Sequence, residues 1–249
     1  MHRFFIEKKD LDEGRAIIKD DDFNHIKNVL RMEKGNKLEI ACDGKVYLGS
    51  IAEIDDGYVI VDELQLKDSY KEDIVVNLFQ GLAKGSKMDL IIQKGTEVGV
   101  SNFYGIDTSR TVVKIKGDKK KENRLKRWNK IAEEAAKQSK RNRVPEFKDI
   151  INFDSMLDIL KDERVIIVPY EEEKNTAIGN VLRDIKKKEK EDINIIIGPE
   201  GGFEEEEIDS IKGIGGRSVS LGSKILRTET AGLVTSTIVF YELSGGEVI

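Results

Sequence analysis

The apolar residues of this chain change rhythm near position 70, and that change constrains the fold more than any other feature. Up to that point the apolar and β-branched runs are short, at residues 3–6, 15–18, 37–42, 46–54 and 58–66, with Gly, Asp and Asn between them. Asp43-Gly44 and Asp56-Gly57 are dipeptides of the tight-hairpin kind. One helical stretch interrupts the strands at 22–32, where Phe23, Ile26, Val29 and Leu30 are spaced for a single buried stripe. Many short strands with one helix predict a small barrel-like domain. A charged stretch at 67–73 reads as a linker, and after it strands and helices alternate.

In that second part a strand at 74–81 leads to a helix at 87–98, with Ser86 and Asp89 at capping-box spacing. A strand at 103–107 precedes a basic helix at 123–139, which carries Leu125, Trp128, Ile131, Ala132 and Ala135 on one face. Short apolar runs at 165–168 and 193–197 have the character of buried parallel strands. Helices are expected at 176–187, 204–211 and 228–243, and 186–190 is a lysine-rich run. Alternation of this kind predicts an α/β domain with an open, mostly parallel sheet.

Composition removes several chemistries. Cys42 is the only cysteine and His2 and His25 are the only histidines, so no internal disulfide and no zinc or iron–sulfur site is expected. Cys42 reads as a small strand residue. No run approaches the roughly 20 apolar residues of a membrane span, and the N-terminus turns charged too early for a signal peptide. A soluble, cytoplasmic protein is expected. The net charge is −5, yet residues 116–143 hold twelve basic side chains against four acidic ones, a local +8. An acidic body with one basic segment suits a selective polyanion binder, and a solvated helix face would look the same.

Two segments carry the chemistry. Gly198, Gly201 and Gly202 fall within five residues beside Pro199, between a strand and a helix that opens on four glutamates, Glu204 to Glu207. Glycines let a ligand approach backbone amides, and ligands of open α/β sheets bind at the carboxyl ends of strands. The glutamates suit a helix N-terminus and disfavour phosphate there. Neither a Walker A nor a G-x-G-x-x-G pattern occurs. A cationic sulfonium cofactor suits such a loop better than a polyphosphate. The second segment, 218–231, has a short strand at 219–221, Gly222 and a polar loop, then a helix entry crowded with Arg227, Thr228, Glu229 and Thr230. Thr228 has the chemistry of an N-cap, and Arg227 with Glu229 that of an ion pair; a functional role is the competing reading.

The phrase IIIGPEGGFEEEEID…VSLGSKILRTETA resembles the RsmE family of 16S ribosomal RNA methyltransferases, SPOUT-class knotted α/β enzymes that methylate N3 of a uridine. HRFF and HIKNVLRMEKGNKLEIACDG resemble that family's PUA-like RNA-binding domain. KGSKMDLIIQKGTEVGV, SRTVVK and RWNKIAEEAAKQSKRNRVPEF resemble its methyltransferase domain, so the likeness covers nearly the whole chain in order. It implies a PUA-like β-barrel domain over 1–70 and a SPOUT methyltransferase domain over 74–249. The latter would be a knotted, mostly parallel sheet with helices on both faces. It further implies S-adenosyl-L-methionine as cofactor, a homodimer, and 16S rRNA within the small ribosomal subunit as partner. Three strand-end loops would hold the cofactor, chiefly by backbone groups. They are Val168, Pro169 and Tyr170, running on to Glu171; Gly198, Pro199, Glu200, Gly201 and Gly202; and Leu221, Gly222, Ile225 and Leu226. Lys140 stands where a glycine is common, and Thr111 where a serine is.

N3 of uridine carries a proton and is a poor nucleophile until that proton leaves. Catalysis then needs positioning and a cation beside the developing negative charge. Arg227 is the candidate for that cation, and Glu229 for taking the proton or orienting Arg227. Arg3, Arg31, Lys84, Lys87, Lys94, Arg110, Gln138 and Arg141 are candidates for RNA contact. Lys94 can equally pair with Glu97 one turn away. Trp128 reads as a core residue, and His25 as one that orients the small domain. Lys119, Lys120 and Lys121 would add salt-sensitive, nonspecific attraction. Two other functions fit the residues: a knotted methyltransferase for another nucleotide or for transfer RNA, and a noncatalytic RNA-binding or ribosome-assembly factor. A nucleotide-dependent enzyme fits poorly, because the phosphate motifs are missing.

Overall fold

The computed structural model describes residues 1–12, 14–69, 74–186 and 192–244. Residues 70–73 of the expected linker, and 187–190 of the lysine-rich run, lie outside them. The chain forms two compact units, one of Met1–Glu72 with Ala136–Val144 and one of Asp73–Ala135 with Pro145–Ile249. Residues 136–144 thus gather with the first unit although the sequence alone places them in the second.

The first unit holds β1 (Arg3–Phe5), β2 (Leu11–Asp12), β3 (Arg15–Lys19), β4 (Lys37–Cys42), β5 (Lys45–Ile54) and β6 (Tyr58–Ser69). They form one sheet in the order β1-β4-β5-β6-β3-β2, antiparallel except for β1 beside β4. Among the described residues its outer strands, β1 and β2, form no ladder with each other. Asp43 and Gly44 take φ of 48° and 77° between β4 and β5. A two-residue loop with both φ positive matches the twist of the flanking strands, as the Asp-Gly pair predicts. Phe4, Ile18, Ile26, Leu38, Ile40 and Ile51 fill one core.

The helix expected over 22–32 is shorter and of mixed type. α1 (Asp20–Asn24) passes into a π turn at His25–Val29, where the Leu30 amide donates to the His25 carbonyl five residues back, at 2.9 Å. The wider turn keeps Phe23 and Ile26 buried but carries Val29 out of the stripe, 66% exposed. Arg31, at φ 49°, ends the element.

Arg3 corrects its sequence-based role. It is buried, with Nε and Nη2 on Glu39 Oε2 at 2.9 and 2.8 Å. Its Nη1 donates to the Arg141 carbonyl at 3.0 Å, to Asn142 Oδ1 at 2.8 Å and to the Lys140 carbonyl. A guanidinium so occupied ties residues 140–142 to β1 and β4 and is not presented to RNA. Burial pushes the Glu39 carboxyl up, but hydrogen bonds from Lys67 and Arg3 and their charges outweigh it and hold it below the usual range. A depressed carboxyl contributes stability that is fully present above its unfolded value, about 4.3, and is lost as pH falls through the folded value. Melting temperature should therefore fall on acidification below about pH 4.3, and Glu39→Gln should flatten that dependence in a pH series of thermal melts.

Segment 136–144 begins as the last turn of α3 (Asp118–Ser139). The Arg141 amide donates to the Ala136 carbonyl at 3.0 Å and the Lys140 amide to Lys137 at 3.4 Å, a Schellman cap, with Lys140 at φ 57°. That position favours glycine. Relieving the left-handed strain outweighs glycine's extra unfolded-state entropy, so Lys140→Gly should stabilise by about 0.5–1 kcal/mol. Thermal melts should show a midpoint raised by about 1–4 °C.

The second unit has β7 (Val76–Gly81), β8 (Asn102–Asp107), β9 (Glu146–Asn152), β10 (Ile166–Pro169), β11 (Ile193–Ile197) and β12 (Arg217–Val219), ordered β12-β10-β11-β7-β8-β9 with every pairing parallel. Its helices are α2 (Lys87–Glu97), α3 as far as Ala135, α4 (Phe153–Leu160), α5 (Ile178–Lys186), α6 (Glu205–Gly213) and α7 (Thr228–Leu243). Side chains alternate across a strand, so Leu78, Ile195 and Ile167 face a core shared with α2, α3, α5 and α7, while Phe79, Ile196 and Ile166 face one with α4 and α6. Helices on both faces follow directly. Trp128 is 2% exposed against the Phe147 ring, centroids 4.5 Å apart, and is a core residue. Neither β9 nor α4 was read from the sequence. Asn129 pins β9 by accepting from the Phe147 amide at 2.8 Å and donating to its carbonyl at 3.1 Å. The expected capping box at α2 is absent: Ser86 makes no side-chain cap, and Arg127 takes the Asp89 carboxylate.

Candidate functional site

Strands β10, β11 and β12 end side by side, and the loops after them enclose a cavity of about 870 Å³. Beyond β10 the Tyr170 amide donates to the Val219 carbonyl at 3.0 Å, which keeps the loop on β12. Glu173 braces the same loop. Its carboxylate accepts from the Ser218 hydroxyl at 2.6 Å and from the Asn175 and Thr176 amides at 2.9 and 3.0 Å. The Ser218 hydroxyl, followed by these amides, holds Glu173 below the usual carboxylate range. Beyond β11 the Gly202 amide closes a tight turn onto the Pro199 carbonyl at 3.0 Å, and Gly202 needs φ of 69°. Beyond β12, Gly222 sits at φ 113°, a conformation that glycine adopts without strain.

A buried chain of polar groups fixes where these loops meet α7. Gln80, fully buried at the end of β7, donates from Nε2 to Thr228 Oγ1 at 2.8 Å, and that hydroxyl donates to the Gly198 carbonyl at 2.6 Å. Thr228 is therefore not the N-cap of α7, a position held by Arg227. A second tether runs through charge. Lys87, on α2, lies 3.2 Å from Glu200 and 3.3 Å from Glu229, while the Lys84 amide donates to Glu200 Oε1 at 2.9 Å. The Glu200 hydrogen bond raises the Lys87 pKa, desolvation opposes it, and the Glu229 hydrogen bond with both carboxylate charges leaves the net direction upward. Burial pushes Glu200 up, but the Lys84 amide, its own amide and Lys87 prevail and hold it low.

Ten of the twelve expected cofactor residues line the cavity: Pro169, Tyr170, Gly198, Pro199, Glu200, Gly202, Leu221, Gly222, Ile225 and Leu226. Val168 lies beneath it in the core, fully buried. Gly201 turns away, toward Arg110, whose Cβ stands 3.0 Å from where a Gly201 Cβ would be. Arg227 lines the cavity with its side chain 83% exposed, and Glu229 is 13% exposed, 4.0 Å from it. Glu173 and Lys174 also line the cavity, although the sequence reading does not single them out for it. An acidic run directly after a strand, Glu171 to Glu173, was the available signal.

The expected RNA contacts fare differently. Arg31, Lys84 and Gln138 are exposed and Arg141 is half-buried. Lys94 pairs with Glu97 at 2.8 Å through both carboxylate oxygens, as their spacing of one helical turn allows. Lys87 is held between two carboxylates. Arg110 donates from Nε and Nη2 to the two oxygens of Glu204 at 2.8 and 2.7 Å, and from Nη1 to the Gly201 carbonyl at 3.0 Å.

A parallel sheet with a cavity at its strand ends, in a chain that also forms a small separate sheet unit, has the architecture of an RNA methyltransferase joined to a PUA-like domain. Residues 71–240 match the RNA methyltransferase domain family, and residues 18–64 match the RNA methyltransferase PUA domain. The chain is 34% identical to the ribosomal RNA small subunit methyltransferase E of Bacillus subtilis, over 97% of each. The enzyme of the same name from Neisseria gonorrhoeae, solved bound to S-adenosyl methionine, superposes with a TM-score of 0.82 at 26% identity over 97% of each chain. A Legionella pneumophila protein solved with bound SAM gives a TM-score of 0.83 at 28% identity over 96% of each. This chain belongs to the ribosomal RNA small subunit methyltransferase E family, the RsmE family of the sequence resemblance.

Proposed function

We propose that this protein transfers a methyl group from S-adenosylmethionine to N3 of one uridine in 16S ribosomal RNA. The observation that carries the reading is the cavity at the ends of β10, β11 and β12. Its volume lies within the ~300–1,000 Å³ of small-molecule sites. Its lining fits the cofactor: Glu171, Glu173 and Glu200 suit a cationic group, and the backbone at Gly222, where a Cβ would meet nothing within 4 Å, is open to a base edge. When bound, the cofactor supplies an electrophilic methyl group on a sulfonium sulfur.

The chain's own residues do the rest. The loops around Pro169, Gly198 and Leu221 hold the cofactor, and the Gln80–Thr228–Gly198 chain fixes the Gly198 loop against β7 and α7. Arg227 stabilises the uridinate as N3 loses its proton. Glu229 takes that proton or orients Arg227, with Lys87 tethering its other oxygen. Arg31, Lys84, Gln138 and Arg141 meet the RNA. The reading includes the trefoil knot that the family resemblance implies. It includes a homodimer, supported by apolar residues of α7 that the core leaves uncovered, with Leu233 and Val234 half-buried and Tyr241 51% exposed. The small-subunit setting and a cytoplasmic location go with it; among the described residues no helix is long and apolar enough to cross a membrane.

The test is to map N3-methyluridine in ribosomal RNA from cells with and without the protein. Loss of one modified uridine in 16S rRNA is expected. An unchanged 16S profile, or loss from transfer RNA instead, sinks the reading.

A further inference from the structure

Arg110 follows β8, outside the cavity, and each nitrogen of its guanidinium bonds the glycine loop or the N-cap of the helix that follows it. Nε and Nη2 hold both Glu204 oxygens, and Nη1 holds the Gly201 carbonyl. Glu204 is itself the N-cap of α6, joined in a capping box to Glu207. The other Glu207 oxygen accepts from the Ser109 amide at 2.9 Å, and the Thr111 hydroxyl accepts from the Thr108 amide at 2.9 Å. Residues 108–111 are thus a compact turn bonded through Ser109 and Arg110 to the segment that leaves the cofactor loop. Gly201 has no room to withdraw toward this turn, since even a Cβ there would press on Arg110.

We propose that Arg110 is a positioning residue for the cofactor loop, acting through Glu204 and the Gly201 carbonyl. The inference rests on the methyltransferase reading and replaces RNA contact as the role of Arg110. An exposed ion pair contributes little to global stability. A planar fork that binds a carboxylate and a backbone carbonyl at once, however, fixes geometry, which a lysine cannot reproduce. The clamp holds one wall of the cavity from outside, so its loss should loosen the loop rather than unfold the domain.

The test uses the full-length protein and the variants Arg110→Met, Arg110→Lys, Glu204→Gln and the Arg110→Met/Glu204→Gln double variant. Calorimetric titration with S-adenosylmethionine should show about tenfold weaker binding for Arg110→Met, with the double variant no worse than Arg110→Met alone. Arg110→Lys should recover only part of the loss, and affinity for a 16S RNA fragment should stay unchanged. Amide hydrogen exchange across residues 198–207 should quicken in each variant with or without cofactor. Unchanged exchange there overturns the clamp, as does full S-adenosylmethionine affinity in Arg110→Met combined with weakened RNA binding. A wild-type protein that fails to bind S-adenosylmethionine would overturn the function reading instead, and the exchange measurement would still decide the clamp.

Discussion

Replacing Gly81 by alanine should abolish useful cofactor binding while leaving the first unit folded. The new Cβ would lie 2.3 Å from the Pro199 nitrogen and 2.7 Å from the Gly198 carbonyl carbon, and both are backbone atoms that no rotamer change can move. β7 cannot yield either, because it is an interior strand, paired with β11 at Gln80–Ile197 and with β8 at Gly81–Ile106. The glycine loop must therefore shift, and with it Thr228, which is bonded to the Gly198 carbonyl. Overpacking of this kind costs about 1–3 kcal/mol in stability. A displacement of about 1 Å at a reacting centre costs about a hundredfold in rate. Calorimetry with S-adenosylmethionine and a parallel thermal melt check both halves. Wild-type affinity in Gly81→Ala would show that the loop does not form the cofactor wall.

The second large effect concerns the helix entry. Arg227→Ala should lower kcat by about 10²–10³, the scale for removing one preorganised charge that meets the developing anion. Because the side chain is 83% exposed, melting temperature should not move. Affinity for S-adenosylmethionine should also hold. Glu229→Gln separates its two candidate roles. If the carboxylate takes the N3 proton, the variant loses the rise of kcat with pH as well as rate. If it orients Arg227, rate falls but the pH profile keeps its shape, and combining both substitutions costs no more than Arg227→Ala alone. The 4.0 Å separation is too long for a hydrogen bond, so an orienting role requires the pair to close on substrate. Normal turnover in both single variants would remove these residues from the mechanism.

Much of this was legible in the residues. Isoleucine-rich runs bounded by polar residues mark β10 and β11, and the glycines at 198, 201 and 202 mark a loop that a ligand can approach. Asp43-Gly44 marks a hairpin, because only a few residue types tolerate two successive positive φ values. What escaped was mostly long-range. In β9, the charges at Glu146, Lys148 and Asp149 mask an edge strand held by Asn129, a residue on a helix. Arg3 and Arg110 look like RNA ligands in sequence, since a guanidinium carries the same charge whether its partner is phosphate or carboxylate. Only the fold shows that Glu39 and Glu204 were waiting for them. Thr228 has the composition of a cap, yet its hydroxyl serves a carbonyl thirty residues earlier.

The first unit takes its last residues from 136–144, and Arg3 donates to partners about 140 positions further along. A growing chain therefore exposes Arg3 and Glu39 well before the carbonyls that complete their network have been made. At about 5–20 residues per second, the gap between residues 72 and 144 lasts roughly 4–14 s. Over that interval Glu39 can already neutralise Arg3, but three of its hydrogen bonds have no acceptor. The N-terminal unit thus begins the chain yet is complete only at residue 144, after more than a third of the second unit has been made.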